Sequence, residues 1–260
     1  MLTLLKLLAA TILTLFLLLI SWIDAYEHYC SALLFPFIIL LLISYGSIEL
    51  KMQERICLKK CYFREDTIMA KLLSSRILVT IFSVIVSVMM TITILSTTID
   101  YSLVWWSYLL LHTTLSTILY RLLLVSSASM LQPSYHALFA REWTINLMTL
   151  LIIPIFAYFT LNGYTPLYLD DGLVQTIQNA SIGVSSSCEI TQSLLKWMKE
   201  IDAALWWLVS NSAKSVEPLW LKVGIWLSFI TYNSLALLGI NRLIIHVIYF
   251  IDRLFKRKKL

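Results

Sequence analysis

Six stretches of this 260-residue chain are long and apolar enough to cross a membrane. Each runs for 17 to 23 residues without a charged side chain, and a membrane-spanning helix needs about 20 mainly apolar residues. The uncharged stretches are 7–23, 31–48, 77–99, 101–120, 144–161 and 223–241. This pattern predicts an all-α fold, a polytopic membrane bundle of six transmembrane helices.

The composition points to the same class of protein. Hydrophobic residues make up 59% of the chain, charged residues only 13%, and the mean hydropathy is +0.82. A water-soluble domain carries about 25% charged residues, so this chain has too little polar surface to cover a soluble globule. The first stretch is longer than the apolar part of a cleaved signal peptide, and a second follows at once. We therefore expect it to be retained as a signal anchor.

The basic residues predict the orientation. With a cytoplasmic N-terminus, 16 of the 20 Lys and Arg residues fall on the inner side, in segments 1–6, 49–76, 121–142 and 242–260. Lys and Arg concentrate in the cytoplasmic loops of membrane proteins. Both termini are therefore predicted to lie in the cytoplasm of a bacterial cell, with the helices in its inner membrane.

This orientation divides the chain into three regions. Residues 1–161 form a five-span membrane region that includes the basic cytoplasmic loop 49–76. Residues 162–218 form an extracytoplasmic loop, and residues 219–260 hold the sixth span and a basic cytoplasmic tail. Clustered basic residues beside a membrane can bind anionic lipid, although the same cluster also serves as a topology anchor.

The second half of the extracytoplasmic loop has the pattern of an amphipathic helix. Apolar residues recur there at intervals of three or four, while Lys196, Lys199, Glu200 and Asp202 fall elsewhere on the helical wheel. The predicted apolar stripe consists of Leu194, Met198, Ile201, Leu205 and Leu208. Two interpretations stay open. The helix lies on the outer membrane surface or against a partner, or it packs on the protein's own loops.

Candidate chemistry within the spans is sparse. No span is interrupted by Asp, Glu, Lys or Arg, and His112 in the fourth span is the one titratable exception. We expect His112 to make a hydrogen bond between helices rather than to act as a base. His136, Arg141 and Glu142 cluster at the inner end of the fifth span, but no metal-binding, nucleophile or phosphate-binding motif accompanies them. The sequence therefore predicts no enzyme, no cofactor and no metal site.

Two arginines, Arg121 and Arg242, each follow a span at its cytoplasmic end. They are predicted to be topology anchors whose long side chains reach the headgroups. The alternative is a bidentate ion pair with a carboxylate, for which Glu142 is the nearest candidate to Arg121.

The four cysteines divide between the two sides of the membrane. Cys57 and Cys61 lie in the basic loop without further metal ligands, so they are expected to be free thiols in a reducing cytosol. Cys30 and Cys188 both fall outside, where an oxidising compartment would allow them to pair. The sequence leaves that pairing open because it does not give their separation in space.

A short set of motifs carries a family resemblance. These are Ser107-Tyr-Leu running to Arg121-Leu-Leu, then Arg141-Glu142, then Leu147-Met-x-Leu-x-x-x-Pro-x-x-x-Tyr158. Over about 55 residues they resemble the paired C-terminal spans of membrane proteins encoded on integrating conjugative elements. That family has an Arg-Glu-Ser motif on the loop between two such spans, and Trp143 replaces the Ser here. The resemblance implies a subunit of a conjugation or secretion apparatus.

Three functional hypotheses fit these observations. The leading one is a non-enzymatic inner-membrane subunit of a multiprotein envelope assembly, which contacts the lipid bilayer and other membrane-protein subunits and binds no nucleic acid. The second is a small-solute channel or exporter with a polar path between the fourth and sixth spans. The third is a lipid-modifying enzyme that uses His136 and Glu142. The residues expected to line the polar path are Ser107, His112, Ser228, Tyr232 and Asn233.

Overall fold

Helices make up nearly all of the protein. The computed structural model describes residues 2–62, 76–99, 102–132, 135–162, 166–215 and 218–257, and this part of the chain contains no β-strand. The α-helices are α1 (Leu2–Ala25), α2 (Leu34–Tyr62), α3 (Arg76–Thr98), α4 (Leu103–Ser126), α5 (His136–Asn162), α6 (Leu173–Ile182), α7 (Glu189–Ser215) and α8 (Leu219–Arg257). Short 3-10 helices, Cys30–Leu33 and Ser127–Ser129, precede α2 and follow α4.

Six helices in the described residues are long and apolar enough to span a membrane, which confirms the predicted class and number. The membrane-length segments are Thr3–Ala25, Cys30–Ile56, Arg76–Thr98, Leu103–Ser129, His136–Phe156 and Leu219–Lys256. Several sequence predictions fall outside the described residues. These concern most of the basic loop (63–75), the last tail residues (258–260) and the side chains of Cys57 and Cys61.

The last helix, α8, is the central element of the bundle. It packs against α1, α2, α3, α4, α5 and α7. Its most apolar stretch is 61% buried inside the protein, compared with 28% to 39% for the other five membrane-length helices. Buried apolar residues surround the helix axis between 243 and 248, because neighbouring helices cover it on several sides. The chain wraps five helices around the sixth.

The extent of α8 corrects the predicted sixth span, 223–241. The helix continues through Arg242 to Arg257 and has 39 residues, or about 58 Å at 1.5 Å per residue. The prediction ended the span at the first charged residue. That criterion is wrong here, because the charge of Arg242 interacts with Glu142 and Glu54 and its side chain is largely covered by protein.

Close packing fixes the height of α8 relative to α3. A Cβ atom added to Gly239 would lie 3.0 Å from the Ile94 side chain, so the two helices approach closely at this point. Helix α3 ends at Thr98, only four residues beyond Ile94, or about 6 Å. Helix α8 begins at Leu219, 20 residues before Gly239, or about 30 Å. The first part of α8 therefore extends well past the end of α3.

The two ends of the bundle differ in chemistry. The polar end holds Glu49 of α2, Arg121 of α4, Arg141 of α5 and Asp252 of α8, which take part in ion pairs. The disulfide end holds Cys30, and its sulfur is bonded to that of Cys188. The pairing that the sequence left open is thus present in the structure.

Helices α6 and α7 form an outer unit at the disulfide end, together with the start of α8. The disulfide joins this unit to the turn between α1 and α2, and the Ser187 amide donates a hydrogen bond to the Glu27 carbonyl at 2.9 Å. The unit has a small core of its own, in which the rings of Trp206 and Phe229 meet edge to face at 4.7 Å. Large aromatic surfaces therefore hold α7 against α8.

Candidate functional site

The candidate site is a buried ionic cluster centred on Arg141, in the second turn of α5. Its guanidinium is 1% exposed. Nη1 donates to a carboxylate oxygen of Glu49 at 3.0 Å, and Nη2 donates to the Gly46 carbonyl at 2.7 Å. The guanidinium carbon also lies 4.1 Å from the ring centre of Tyr249. A cation enclosed in this way needs such partners, because an unpaired buried charge is very costly.

Histidine 246 completes the cluster from α8. Its Nδ1 lies 3.4 Å from Arg141 Nη2. A guanidinium only donates hydrogen bonds, so Nδ1 accepts and the proton of a neutral ring lies on Nε2. Gly46 makes room for this ring, because a Cβ atom at that position would lie 2.4 to 2.6 Å from three of its atoms. The glycine on α2 is therefore a requirement of the cluster's packing.

The Glu49 carboxylate connects the cluster to the end of α8. Besides Arg141, it accepts a hydrogen bond from the Tyr249 hydroxyl at 3.1 Å and lies 3.4 Å from Arg253 Nη1. Arg253 is much more exposed than Arg141, with a side chain 44% accessible. One carboxylate on α2 thus binds α5 in the interior and α8 near the surface.

A second group of ion pairs corrects the expected partner of Arg121. Its Nη2 lies 3.0 Å from one oxygen of Asp252, and the other oxygen of Asp252 lies 2.8 Å from Lys256 Nζ. Glu142, the partner considered from the sequence, instead lies 4.0 Å from Lys51 Nζ. Glu142 was considered because it is near Arg121 in the sequence. Asp252 is 131 residues away from Arg121 and reaches it only when α8 packs against α4.

Arg242 has carboxylate neighbours, as the alternative to the anchor prediction expected. It was expected at the end of a span, reaching the headgroups. The structure places it inside α8, with 15 residues of helix after it, where its charge interacts with Glu142 and Glu54. Arg242 is therefore part of the ionic network between α8, α5 and α2.

His112 lies at mid-height on α4. Its Nε2 is 3.2 Å from the Asn241 side-chain oxygen on α8, and the Asn241 amide donates to the Ile145 carbonyl and to the Thr149 hydroxyl on α5. This is an interhelical hydrogen bond of the kind predicted for His112. It joins three helices at a level where polar groups have no access to water.

Further polar atoms at this end are buried without a partner in the described residues. They include side-chain atoms of Ser47 on α2, Tyr120 on α4 and His246 on α8, and the Nε atoms of three arginines. Buried polar atoms normally have a hydrogen-bond partner, and ordered water often supplies it. The polar end is thus the part of the bundle best suited to hold internal water.

The predicted apolar stripe on α7 is only partly buried. Met198 is 5% exposed, Leu194, Ile201 and Leu205 are half-buried, and Leu208 is 39% exposed. Leu208 is therefore not covered by the protein's own described residues, and its predicted contact with a membrane surface or a partner stays a prediction. The covered face is rotated by about one residue and consists of Thr191, Leu195, Met198, Lys199, Ala203, Trp206 and Val209. It faces the protein's own helices, since α7 packs between α6 and α8.

Lys199 was expected on the solvent side of α7, but it is buried. Its charge interacts with Asp202, which accepts a hydrogen bond of 2.6 Å from the Tyr168 hydroxyl. Burial raises the pKa of Asp202 and lowers the pKa of Lys199, because both charged forms lose hydration. The periodicity of apolar residues did not predict that Lys199 lies on the covered face, because it places every charged residue on the solvent side of a helix.

Four of the residues expected to line a polar path have hydrogen bonds to main-chain carbonyls. The hydroxyls of Ser107 and Ser228 donate to carbonyls one turn earlier in their own helices, and so does the Asn233 amide. The Tyr232 hydroxyl donates to the Met198 carbonyl on α7. None of these bonds involves His112, so the polar path stays a prediction.

The residues of the enzyme hypothesis are also separate. His136 contacts the Leu131 carbonyl, whereas Glu142 lies near Lys51. Six residues on a helix turn through about 600°, so His136 and Glu142 point to different sides of α5. Within the described residues there is no group of three or more side chains placed to hold a metal ion.

Comparisons with protein families, characterised proteins and solved structures find no match to this chain. The resemblance to proteins of integrating conjugative elements therefore stays a prediction.

Proposed function

We propose that this protein is a non-enzymatic subunit of a multiprotein assembly in a bacterial inner membrane, with both termini in the cytoplasm. The observation that carries the proposal is an uncovered apolar face at the start of α8. Trp220 is 74% exposed, Val223 48% and Leu227 59%, and they lie on one side of the helix. This surface, Trp220–Val223–Leu227, is called the outer face below.

We propose that protein rather than lipid covers the outer face, although the membrane-length segment of α8 includes it. Exposed apolar side chains elsewhere, such as Leu111 on α4, lie at mid-height of a membrane-length helix, where a bilayer would surround them. The outer face instead lies on the part of α8 that extends past the end of α3. The chain's own α7 packs on the opposite side, through Trp206 and Phe229. Where this part of α8 stands in water, its contiguous apolar surface would mark an interaction site, which supports a protein partner here.

The disulfide supports the proposed orientation. Disulfides form and persist outside the cytosol, whereas cytosolic thiols are kept reduced. The Cys30–Cys188 bond therefore favours an extracytoplasmic location for the outer unit. The opposite end carries Lys51, Arg253 and Lys256, in agreement with the positive-inside rule.

Thiol labelling tests this orientation. Gln178 is exposed on α6, so Gln178→Cys should react with a membrane-impermeant maleimide in intact cells, while Cys57 should react only after lysis. Labelling of Cys57 without lysis would reverse the proposed topology.

The ionic cluster supports a structural rather than a catalytic role. Four of the five N–H donors of Arg141 are on the two nitrogens that face Glu49, Gly46 and His246. The side chain is closed to solvent, so a substrate has no access to it. The cluster joins α2, α5 and α8 and would give the subunit a fixed shape in the membrane.

Photo-crosslinking in the native host tests the partner proposal. A photoreactive amino acid at position 220, 223 or 227 should give a discrete adduct with another membrane protein, identified by mass spectrometry. The matched control is position 111, where Leu111 is 57% exposed at mid-height on α4 and should meet lipid only. Loss of all protein adducts at the three outer positions, or equal adducts at position 111, would contradict the proposal.

A proton- or ion-coupled exporter is the second candidate. The observation that favours it is the enclosed group of Arg141, Glu49 and His246, since ionisable groups inside membranes often mark transport pathways. Purified protein in liposomes with an internal pH dye would show proton flux that Glu49→Gln abolishes. No flux in wild-type vesicles would leave the subunit proposal as the better one.

A further inference from the structure

An apolar groove of about 250 Å³ opens at the disulfide end of the bundle. Its sides are formed by Phe37 and Leu40 of α2 and by Val88 and Ile92 of α3, and Leu194 of α7 and Trp22 of α1 also line it. The groove is separate from the ionic cluster and from the outer face. It therefore has no part in the function proposed above.

The lining restricts the chemistry of any ligand. It contains no charged residue, and its only hydroxyl groups belong to Thr91 and Thr191. The Thr91 hydroxyl already donates to the Ser87 carbonyl at 2.8 Å. A sugar, nucleotide or ion placed here would lose its hydration without gaining polar partners. The occupant must be hydrocarbon.

The narrow space between α2 and α3 favours a thin occupant over a helix, which is about 10 Å in diameter. A flexible chain of methylene groups has a much smaller cross-section and can follow the space between α2 and α3.

The position of the groove identifies the source of such a chain. Phe37 and Leu33 line it and are exposed on the outside of the bundle, and both belong to a membrane-length segment. The side of the groove formed by α2 and α3 therefore meets the bilayer. We propose that the groove binds an acyl chain of a phospholipid from the leaflet at the disulfide end.

Trp22 lines the groove and carries a donor that a lipid entering it would reach by displacing the present neighbours of the ring. Its side chain is 1% exposed, and its indole N–H has no hydrogen-bond partner in the described residues. The ester carbonyl that joins an acyl chain to glycerol is an acceptor of the right type for this donor. A diester phospholipid would satisfy it better than a diether phospholipid.

The disulfide holds two sides of the groove together. Cys30 precedes Leu33 and Phe37 on one side, and Cys188 directly precedes α7, which contributes Leu194 on the other. Reduction of the bond would allow the start of α7 to move away from α2. Lipid binding in the groove should therefore depend on the disulfide.

The test uses the full-length protein in liposomes that contain a phosphatidylglycerol with a diazirine on one acyl chain. Adducts should concentrate on peptides of α2, α3 and the start of α7. Leu40→Trp fills the groove and should lower adduct yield there about tenfold, which corresponds to the loss of two buried methylene groups. Leu41→Trp is the matched control, since Leu41 is exposed on the lipid side of the same helix and does not line the groove.

Two further arms sharpen the result. Cys188→Ser should lower the same adducts, and Trp22→Phe should remove a preference for diester over diether lipid. If Leu40→Trp does not fold, Ile92→Phe with Met89→Phe as its exposed control repeats the test on α3. Equal effects of Leu40→Trp and Leu41→Trp would show ordinary boundary lipid and overturn the proposal. Native mass spectra that show a protein-linked acyl chain instead of a phospholipid would also overturn it.

Discussion

The two halves of α8 are held in place by opposite kinds of contact. From Gly239 to its end, the helix buries polar groups such as Asn241, His246 and Asp252. From its start to about residue 238, it leaves apolar residues such as Trp220 and Leu227 uncovered. Polarity alone therefore does not show which part of this helix is inside the protein. Burial depends instead on whether each side chain has partners on other helices.

The difference follows from where those partners come from. Polar groups of the second half meet a carboxylate of α2, an imidazole and a guanidinium of α4, and a carbonyl and a hydroxyl of α5, which offset the loss of hydration. The first half packs against α7 and against Tyr168 and Leu169, and its contact with α7 is aromatic. One side of the first half is thus left for something outside the chain.

The largest effect is expected at the centre of the ionic cluster. Arg141→Met removes the buried cation that pairs with Glu49 and leaves the Gly46 carbonyl and the His246 ring without this donor. Breaking one side of a buried ion pair costs about 3 to 5 kcal/mol. The thermal unfolding midpoint in detergent and the abundance in the membrane should both fall sharply.

Arg253→Met is the matched control, because Arg253 contacts the same Glu49 carboxylate from an exposed position. Exposed ion pairs contribute about 0 to 1 kcal/mol, so this variant should be close to wild type. Similar losses of stability in the two variants would mean that burial does not make the Arg141–Glu49 pair stronger than the exposed Arg253–Glu49 pair.

A smaller effect is expected from the backbone contact beneath the cluster. Gly46→Ala places a methyl group within 2.6 Å of the His246 ring, and overpacking of this kind costs about 1 to 3 kcal/mol. Gly224→Ala in the first half of α8 meets nothing within 4 Å. It should stabilise the helix by about 0.5 to 1 kcal/mol, because alanine is the better helix former.

The double variant Gly46→Ala with His246→Ala separates crowding from helix effects. Removing the ring should recover part of the stability lost in Gly46→Ala. No recovery in thermal unfolding would show that Gly46 is needed for a reason other than the approach of α8.

The sequence predicted the fold well because a membrane-spanning helix can be recognised from its own residues alone. A run of about 20 apolar residues needs no knowledge of the rest of the chain, and all six predicted stretches overlap membrane-length helices. The true extent of α8 was missed for a physical reason. The partners of Arg242 and Asp252 lie on other helices, so the residues that make these charges acceptable cannot be read from nearby spacing.

The candidate site was harder to predict than the fold. Arg141 and Glu142 were noticed as neighbours, but Glu49 and His246 come from 92 residues before Arg141 and 105 residues after it. The covered face of α7 differs from the predicted apolar stripe for a related reason. Lys199 and Asp202 interact with each other inside the outer unit, so a charged residue can lie on the covered face. In each case polar residues were assigned to water because their partners were not visible in the sequence.

That buried pair leads to a prediction on pH. Burial raises the pKa of Asp202 above its ordinary value of 3.8, while the Tyr168 hydrogen bond and the charge of Lys199 act in the opposite direction. The folded state therefore holds the proton more tightly than the unfolded state. Stability from this group is fully present below about pH 3.8 and is lost as the pH rises through the folded pKa.

Hydrogen exchange of α7 amides measures this directly. Relative to Asp202→Asn, the wild-type outer unit should gain protection as the pH is lowered from neutral towards 4. The difference between the two proteins isolates Asp202 from the other carboxyl groups. Parallel pH profiles for wild type and Asp202→Asn would show that this carboxyl group does not titrate differently in the fold.

The smallest effect is expected at Arg121, on the edge of the polar end. Its bond to Asp252 is a single contact of 3.0 Å from a side chain that is 24% exposed, and Lys256 holds the other oxygen of the carboxylate. Arg121→Lys keeps the charge and one donor, so it should change stability by less than about 1 kcal/mol and leave abundance normal. Arg121→Leu should lower abundance, because it removes a positive charge from the end proposed to face the cytoplasm. A topology anchor would also tolerate lysine, but the structure supplies a different reason, a bond with one donor that lysine can replace. Normal abundance of Arg121→Lys with loss of function in the native host would show that the planar guanidinium itself is needed there, and that the polar end binds a partner.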